Sequence, residues 1–421
     1  MSNHRLRPRI AILSDLPVDH SSFTGGVETA TSALIEGLRA FLDDFEFHVV
    51  CPTTSLVADK HEVNGGIAFH FLGGLHRRWL RPRLALRVAK VRRELTRLQP
   101  DLVHCQANPD LVLAAALAGH QPVFTVHGVA AHEARLRTGW EFWSAVAAAA
   151  TSRLAYRFVR AFICNSGYVT ELVSQHGRTF VIPNAISSIF LQLQPKQLEL
   201  QLERMPHAHR PSRLVFVGVL APLKRPHDLL EAHAVLQQDF PLLETTLCGA
   251  TEDSVYAGEL HRMVAERSIS GVHFSGVLTP LQVRQLLSGA TALVLPSAQE
   301  NAPMVIAEAM AVGIPVVATR VGGVPEMVDH GVTGLVYRPG DLSSLVAALR
   351  TLLGDAELCE RMGRRGREVA LARNAPEHVA GATVAVYDSI LKHPVPRTKW
   401  RPGVAAVHKP SNGAAPRLRR N

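Results

Sequence analysis

Residues 292–337 read ALVLPSAQENAPMVIAEAMAVGIPVVATRVGGVPEMVDHGVTGLVY. The β-prone run ALVL ends at Pro296, and a polar loop carrying Glu300 follows it. Pro303, pre-set for the first helical turn, opens an apolar helix over 303–312. A second β-prone run, PVVA at 315–318, leads into Gly322-Gly323 and then to the short strand 335–337. Strand, loop, helix and strand in this order make a βαβ unit, the building block of a parallel sheet covered by helices.

The same alternation extends over nearly the whole chain. Upstream, strands are expected at 9–14, 46–51, 67–71, 101–104, 122–126, 161–164 and 179–182, with helices at 27–41, 82–98, 109–118, 140–159 and 167–175. The second half gives strands at 213–219, 243–248, 272–274 and 292–295, with helices at 226–237, 255–267, 280–288, 324–329, 342–353 and 356–371. A chain of 421 residues suits two domains of about 200 residues each. The fold class is therefore α/β, with two Rossmann-like domains facing each other across a cleft. The first domain spans 1–186, a linker 187–212, the second domain 213–375, a helix returning to the first domain 376–393, and a basic disordered tail 394–421. Open α/β sheets bind ligands at the carboxyl ends of their strands, so the chemistry belongs in loops that directly follow strands.

Composition narrows the class. Hydrophobic residues make up 47% and charged residues 19%, which excludes collagenous, disulfide-dense and globally disordered chains. Cys51, Cys105, Cys164, Cys248 and Cys359 lie far apart with no CxxC pair, as reduced core residues of a cytosolic protein would. The amino terminus has no signal-peptide pattern. The Ala-rich stretch 142–162 contains Arg153, Arg157 and Arg160, too many charges for a membrane span. The formal net charge is +9, concentrated at 77–93 and 394–421. Those segments lack interleaved stacking aromatics, so no nucleic-acid partner is expected.

Several strand-end residues stand out. Glu308 falls in the second turn of an otherwise apolar helix, roughly 8 Å along it from Glu300 at 1.5 Å per residue. A buried carboxylate needs a partner, and either a neighbouring arginine or a ribose diol would serve. The free amides at the start of that helix, beside Asn301, Ala302 and Pro303, favour an anion such as a diphosphate. Gly322-Gly323 allows backbone to approach a ligand closely, or simply makes a turn. Gly25-Gly26 opens a helix, His127 ends a strand (TVHG), and Lys224 lies in the loop after 213–219. Each has a blander reading as a turn glycine, a satisfied histidine or a solvated lysine.

Together these residues resemble the family-4 glycosyltransferases, retaining enzymes of the GT-B fold. The match comprises two glutamates separated by seven residues (Glu300, Glu308), the EAMA-G-PVVA run from Glu308, and the GG-PE turn at Gly322, Gly323, Pro325 and Glu326. It continues upstream in the GGVE turn (Gly25 to Glu28), His127, Ser166, Asn184 and the FVGVLAPLKRP segment that delivers Lys224. The resemblance implies transfer of a sugar from a nucleotide sugar, UDP-linked in most of the family, with retained anomeric configuration. It implies His127, Lys224 and Glu300 as catalytic residues. Gly25, Gly26, Lys224, Asn301, Ala302, Pro303 and Glu308 are implied as donor-binding, with Glu300 on the sugar hydroxyls and Glu308 on the ribose. With Lys224 and helix amides available, and no DxD-like carboxylate pair in a suitable loop, neither a metal nor another cofactor is expected. One departure is Val219, where the family usually has a basic residue, so one diphosphate contact is missing. A sugar-nucleotide epimerase or phosphorylase on the same fold, or a non-catalytic polyanion binder, is the alternative class.

The basic stretch RRWLRPRLALRVAKVRR at 77–93 bears on the acceptor. Leu84, Val88, Val91 and Leu95 recur at helical spacing, so one face is expected to pack on the first sheet. The basic residues then form either a solvated face or a patch resting on an anionic bilayer, with Trp79 at the interface. The acceptor side thus reads as a saccharide or lipid-linked partner in envelope or exopolysaccharide synthesis, at the cytoplasmic side of the membrane.

Overall fold

The computed structural model describes residues 7–19, 25–75, 80–128, 139–192, 212–251 and 253–392, without the side chains of 80–83 and 139–145. The first sheet comprises β1 (Arg9–Leu13), β2 (Glu46–Pro52), β3 (Lys60–Asn64), β4 (Ile67–Leu72), β5 (Leu102–Gln106), β6 (Val123–Val126), β7 (Ala161–Cys164) and β8 (Arg178–Val181). Their order is β3-β4-β2-β1-β5-β6-β7-β8. Every pair is parallel except β3, which runs antiparallel to β4 at the edge. Residues 10–13 of β1 are fully buried, the mark of a central strand covered on both faces.

The second sheet comprises β9 (Arg213–Val217), β10 (Glu244–Cys248), β11 (Val272–Gly276), β12 (Ala292–Leu295), β13 (Val316–Thr319) and β14 (Gly334–Tyr337). It is parallel throughout, in the order β11-β10-β9-β12-β13-β14. This is the doubly wound dinucleotide-fold order, whose switch point lies between the first and fourth strands, here β9 and β12. In the first sheet the direction of winding reverses between β1 and β5. Both switch points open onto the cleft between the sheets, as the alternation in the sequence implied.

Helices α1 (Gly26–Leu38), α2 (Leu80–Leu98), α3 (Pro109–Leu117), α4 (Gly139–Tyr156) and α5 (Gly167–Val173) follow strands of the first sheet. The second carries α6 (Pro226–Leu236), α7 (Ser254–Glu266), α8 (Pro280–Ser288), α9 (Met304–Val312), α10 (Val324–Met327), α11 (Leu342–Gly354) and α12 (Ala356–Asn374). The last helix, α13 (Pro376–Leu391), lies against α1, and its Val379, Ala380, Val384, Tyr387 and Ile390 belong to a core shared with β1, β2 and β4. Gly37 makes that approach possible, because a Cβ there would collide with the Pro376 carbonyl.

Some expectations need correction. β3 has no counterpart in the sequence reading: KHEVN is polar, and all but its central residue are exposed, so no alternation marks it. Pro303 is the residue before α9 rather than its first residue, with extended backbone at φ −67°, ψ 123°. Along α2, Val91 and Leu95 are fully buried, but Leu84 is 49% exposed, so the packed face begins later than its spacing indicated. The cysteines are all free; four are buried and Cys359 is half-buried. Most of the expected linker and the tail 394–421 lie outside the described residues.

Candidate active site

The nine residues that the resemblance implies as catalytic or donor-binding line one cavity of about 460 Å³ in the cleft: Gly25, Gly26, His127, Lys224, Glu300, Asn301, Ala302, Pro303 and Glu308. Its size falls in the range of small-molecule and cofactor pockets. Two helix starts meet there. A Cβ on Gly26, the first residue of α1, would touch Met304 Cγ at 3.5 Å, the first residue of α9. Each start presents unpaired amides and the positive end of a helix dipole, so the pair suits a polyanion.

The second-sheet rim carries the charge. Lys224 sits on a 3₁₀ turn after β9, and its Nζ donates to Glu300 Oε1 at 2.7 Å. The same oxygen accepts from Ser297 Oγ at 2.7 Å. Glu300 is 7% exposed, so this pair is shielded and more strongly coupled than a surface ion pair. Glu308 is equally buried, and the arginine offered as its partner is absent: it has no hydrogen-bond or ionic partner among the described residues. Burial pushes its carboxyl up to about 7. Among the described residues Lys224 is the one lysine or arginine that lines the cavity, and Arg225 beside it turns to Asp228 at 2.8 Å.

Gly322-Gly323 serves the site differently from the sequence reading. Neither residue lines the cavity. A Cβ on Gly322 would overlap the Glu300 carbonyl, and one on Gly323 the Asn301 carbonyl. Gly322 also has φ +50°, where glycine is favoured. The close approach is to the loop that holds Glu300, so the glycines support the site from behind.

Among the described residues, no charged side chain lines the cavity from the first-sheet rim. His127 ends β6, and its Nε2 lies 2.9 Å from Gln106 Oε1. The amide oxygen can only accept, so Nε2 carries the proton and Nδ1 is bare. Gln106 Nε2 in turn donates to His104 Nε2 at 3.2 Å, while His104 Nδ1 meets the hydroxyl of Tyr387 on α13 at 2.6 Å. Burial lowers the His127 imidazole to about 4 and the His104 imidazole to about 3, so both are neutral near pH 7. Sequence reasoning missed Gln106, His104, Tyr387 and Ser297.

Hydrogen bonds join the rims. Asn301 Nδ2 donates to the His127 carbonyl and Asn184 Nδ2 to the Ala302 carbonyl, each at 3.2 Å. The amides of Gly167 and Tyr168 donate to the Glu326 carboxylate at 2.6 and 2.7 Å.

Comparison with known proteins agrees with this architecture. The family model for glycosyl transferases group 1 matches residues 199–369, and that for glycosyltransferase family 4 matches 24–188. Glycogen synthase of Mycobacterium tuberculosis is 30% identical over 304 residues, which cover 69% of each chain. The chain belongs to the family 4 glycosyltransferases. A D-inositol 3-phosphate glycosyltransferase of Corynebacterium urealyticum is 34% identical to this glycosyltransferase over 170 residues, 39% of this chain and 38% of that one. Among solved structures, sucrose-phosphate synthase from Thermosynechococcus elongatus superposes with a TM-score of 0.75 at 20% identity, covering 91% and 99% of the two chains. Anabaena HepE in complex with UDP and glucose superposes at 0.71 and 24% identity, covering 91% and 100%. These neighbours share the GT-B fold of the glycosyltransferase.

The basic stretch of the glycosyltransferase is only partly free. Arg87 bridges Asp15 at 2.8 Å and Asp110 at 2.6 Å, and Lys90 pairs with Asp59 at 2.8 Å. Both therefore help fasten α2 to its surroundings and are not available to a bilayer. Arg92 and Arg93 are exposed. Arg77, Arg78 and Trp79, and the side chains of Arg81 and Arg83, lie outside the described residues. No helix among the described residues is long and apolar enough to cross a membrane.

Proposed function

We propose that this glycosyltransferase moves a sugar from a nucleoside diphosphate sugar, UDP-linked, to a saccharide or lipid-linked acceptor, retaining the anomeric configuration and using no metal or other cofactor. The observation that carries this reading is the ion pair of half-buried Lys224 with buried Glu300, in one cavity with Glu308 where two helix starts converge. The C1–O bond to the diphosphate breaks, its electron pair stays on the phosphate oxygen, and the acceptor oxygen bonds to C1 while its hydroxyl proton is released. Lys224 and the amides after Gly25 and Pro303 stabilise the charge that develops on the leaving group, a contribution of about 3–4 kcal/mol for one preorganised donor. Glu300 holds sugar hydroxyls, and Glu308 accepts from the two ribose hydroxyls. Neutral His127 offers bare Nδ1 to a hydroxyl of the sugar or the acceptor. UDP is favoured as the carrier because HepE, of the same fold, is recorded with UDP and glucose.

The acceptor belongs to envelope or exopolysaccharide synthesis, met at the cytoplasmic face of an anionic membrane. Of the described basic residues of the stretch, Arg92 and Arg93 are exposed and would dock there, and the reading adds Arg77, Arg78, Arg81 and Arg83 on their sequence alone. The test is a donor screen with each nucleotide sugar, following hydrolysis, transfer and protection from thermal unfolding. UDP-sugars are expected to protect and turn over in the presence of a chelator, with an anomerically retained product by NMR. An inverted product, a free epimer, a demand for inorganic phosphate or a divalent-ion requirement would overturn the corresponding part.

A further inference from the structure

A second cluster of chemically competent side chains lies at the edge of the first sheet, and none of it lines the cleft cavity. His61 on β3 and His70 on β4 are direct cross-strand partners in the antiparallel register. Their Nδ1 atoms face each other at 2.9 Å. Glu94 on α2 brings Oε1 to 3.0 Å from the same His70 Nδ1, and the three ligand atoms lie within 4.8 Å of one another. His70 and Glu94 are buried, whereas His61 is exposed and open to an incoming ion.

Behind His70 a hydrogen-bond chain fixes which nitrogen carries the proton of the neutral imidazole, the form a metal ion binds. Glu46, ion-paired to Arg9 at 2.8 Å, accepts from His48 Nε2 at 2.8 Å. His48 Nδ1 is thereby bare and accepts from His70 Nε2 at 2.9 Å. His70 Nδ1 is then bare as well, yet it faces a carboxylate oxygen and a second imidazole nitrogen. Three electron-rich atoms around one point repel unless something positive lies among them. Arg97 answers this in part: its Nη2 lies 2.5 Å from Glu94 Oε1 and 3.3 Å from His70 Nδ1. It makes no hydrogen bond to His61 among the described residues. Its side chain is 59% exposed, and its Nε holds the other Glu94 oxygen at 3.1 Å, so Nη2 can withdraw without releasing Glu94.

We propose that His61 Nδ1, His70 Nδ1 and Glu94 Oε1 form a zinc site that ties the edge hairpin β3–β4 to α2. Two imidazoles and one carboxylate are ligands of the type that hold zinc, with water completing a tetrahedron. The His70–His48–Glu46 chain is the outer-shell arrangement that orients a metal-bound imidazole, through hydrogen bonding of its other nitrogen. The ion replaces the Arg97 guanidinium as the positive charge and reaches all three atoms at once. Chain spacing does not disclose the site, because the ligands come from two strands and a helix. It is separate from the donor cavity and takes no part in transfer.

The test uses the full chain, dialysed against a chelator and then titrated with zinc chloride in a calorimeter, with bound metal counted by elemental analysis. One zinc per chain is expected, with a higher Tm when it is bound. His61→Ala removes an exposed ligand and should weaken binding at least about tenfold, and Glu94→Gln likewise. His48→Ala should cost about 10–100-fold, the usual effect of losing an outer-shell partner. Arg97→Ala should bind more tightly, since the competing cation is gone. His378→Ala, an exposed histidine elsewhere on the chain, should change nothing. If the parent takes up no zinc, a proton or Arg97 alone fills the cluster and the proposal fails. It fails equally if correctly folded His61→Ala binds zinc with the parent's affinity and stoichiometry. Because His61 is exposed, that variant decides the matter even if Glu94→Gln does not fold.

Discussion

On the second-sheet rim of the cleft, Lys224 and Glu300 meet at 2.7 Å and Glu308 lies buried nearby, whereas the first-sheet rim offers two glycines and a histidine that burial keeps neutral. The charged rim is built from the loops that follow the neighbouring strands β9 and β12, where Lys224 and Ser297 both bond Glu300 and Glu308 has no partner among the described residues. The neutral rim is built on a buried network that runs back through Gln106 and His104 to the last helix. A diphosphate leaving group needs fixed positive charge, while an acceptor hydroxyl needs placement in a site where stray charge would compete for the donor. On the proposed reading the difference between the rims divides the work: the only side-chain charge on the leaving group among the described residues comes from the second sheet, with helix amides from both, and positioning of the hydroxyl falls to the first.

If that division is right, the largest loss follows from removing the one lysine at the phosphate end. Lys224→Ala should lower kcat by about 10²–10³ with the fold intact by circular dichroism. Glu300→Gln added to it should cost much less than it does alone, because the two act as a pair. Additive losses would show that they act separately and would blur the contrast between rims.

Glu308→Gln should weaken binding of the free nucleoside diphosphate by about 1.5–3 kcal/mol, the range for hydrogen bonds to a charged group. Its carboxyl, raised from 4.5 to about 7 by burial, also sets a pH dependence. The folded apo protein favours the protonated form more than the unfolded chain does. Glu308 therefore costs no stability below about pH 4.5, a growing amount as pH rises, and the full amount above about pH 7. Ribose hydroxyls favour the ionised form, so nucleotide binding should expel a proton and tighten between pH 6 and 8. Calorimetry in buffers of different ionisation enthalpy reads this directly, and the glutamine variant should show neither proton release nor the slope. Equal affinity in parent and variant would leave Glu308 as a mere structural group.

The two rims were also unequally legible in the sequence. The second could be read because strand, Glu300 loop, helix and Glu308 are contiguous in 292–337, and the αβ period fixes which residues sit at the strand end. What could not be read was pairing across separate segments. Lys224 meets Glu300 from 76 residues away, so the lysine proposed to face the phosphate is also the carboxylate's partner. Gly322-Gly323 showed that a side chain is excluded there, but not that the excluding atoms are the Glu300 and Asn301 carbonyls. On the first rim His127 stood out by its place after a strand, yet its support comes from β5 and from Tyr387, which lies 283 residues from His104. β3 was invisible for a different reason, since an edge strand of polar residues has no buried face to impose alternation.

The smallest expected effect tests the neutral rim through Gln106, which is 2% exposed and does not itself line the cavity. Its amide oxygen accepts from His127 Nε2, and its amide nitrogen donates to His104 Nε2. Both contacts have a direction, so the amide transmits the orientation of the His104–Tyr387 pair to the tautomer of His127. Gln106→Leu keeps much of the volume but removes that information, and Nδ1 of His127 need no longer be the bare nitrogen. Loss of one hydrogen bond of about 0.5–1.5 kcal/mol corresponds to a fall in kcat of roughly twofold to tenfold, with donor affinity unchanged. Gln106→Glu sharpens the test, because a carboxylate beside the imidazole raises its pKa and favours His127 as a cation. At saturating donor, where bound nucleotide holds Glu308 ionised, turnover in that variant should then decline as pH falls through the shifted value, while the parent, with His127 near 4, shows no such decline above about pH 5. A parent-like pH profile in Gln106→Glu, or a donor affinity that falls along with kcat in Gln106→Leu, would show that Gln106 only packs the floor of the cleft and that the first rim's neutrality does not matter to transfer.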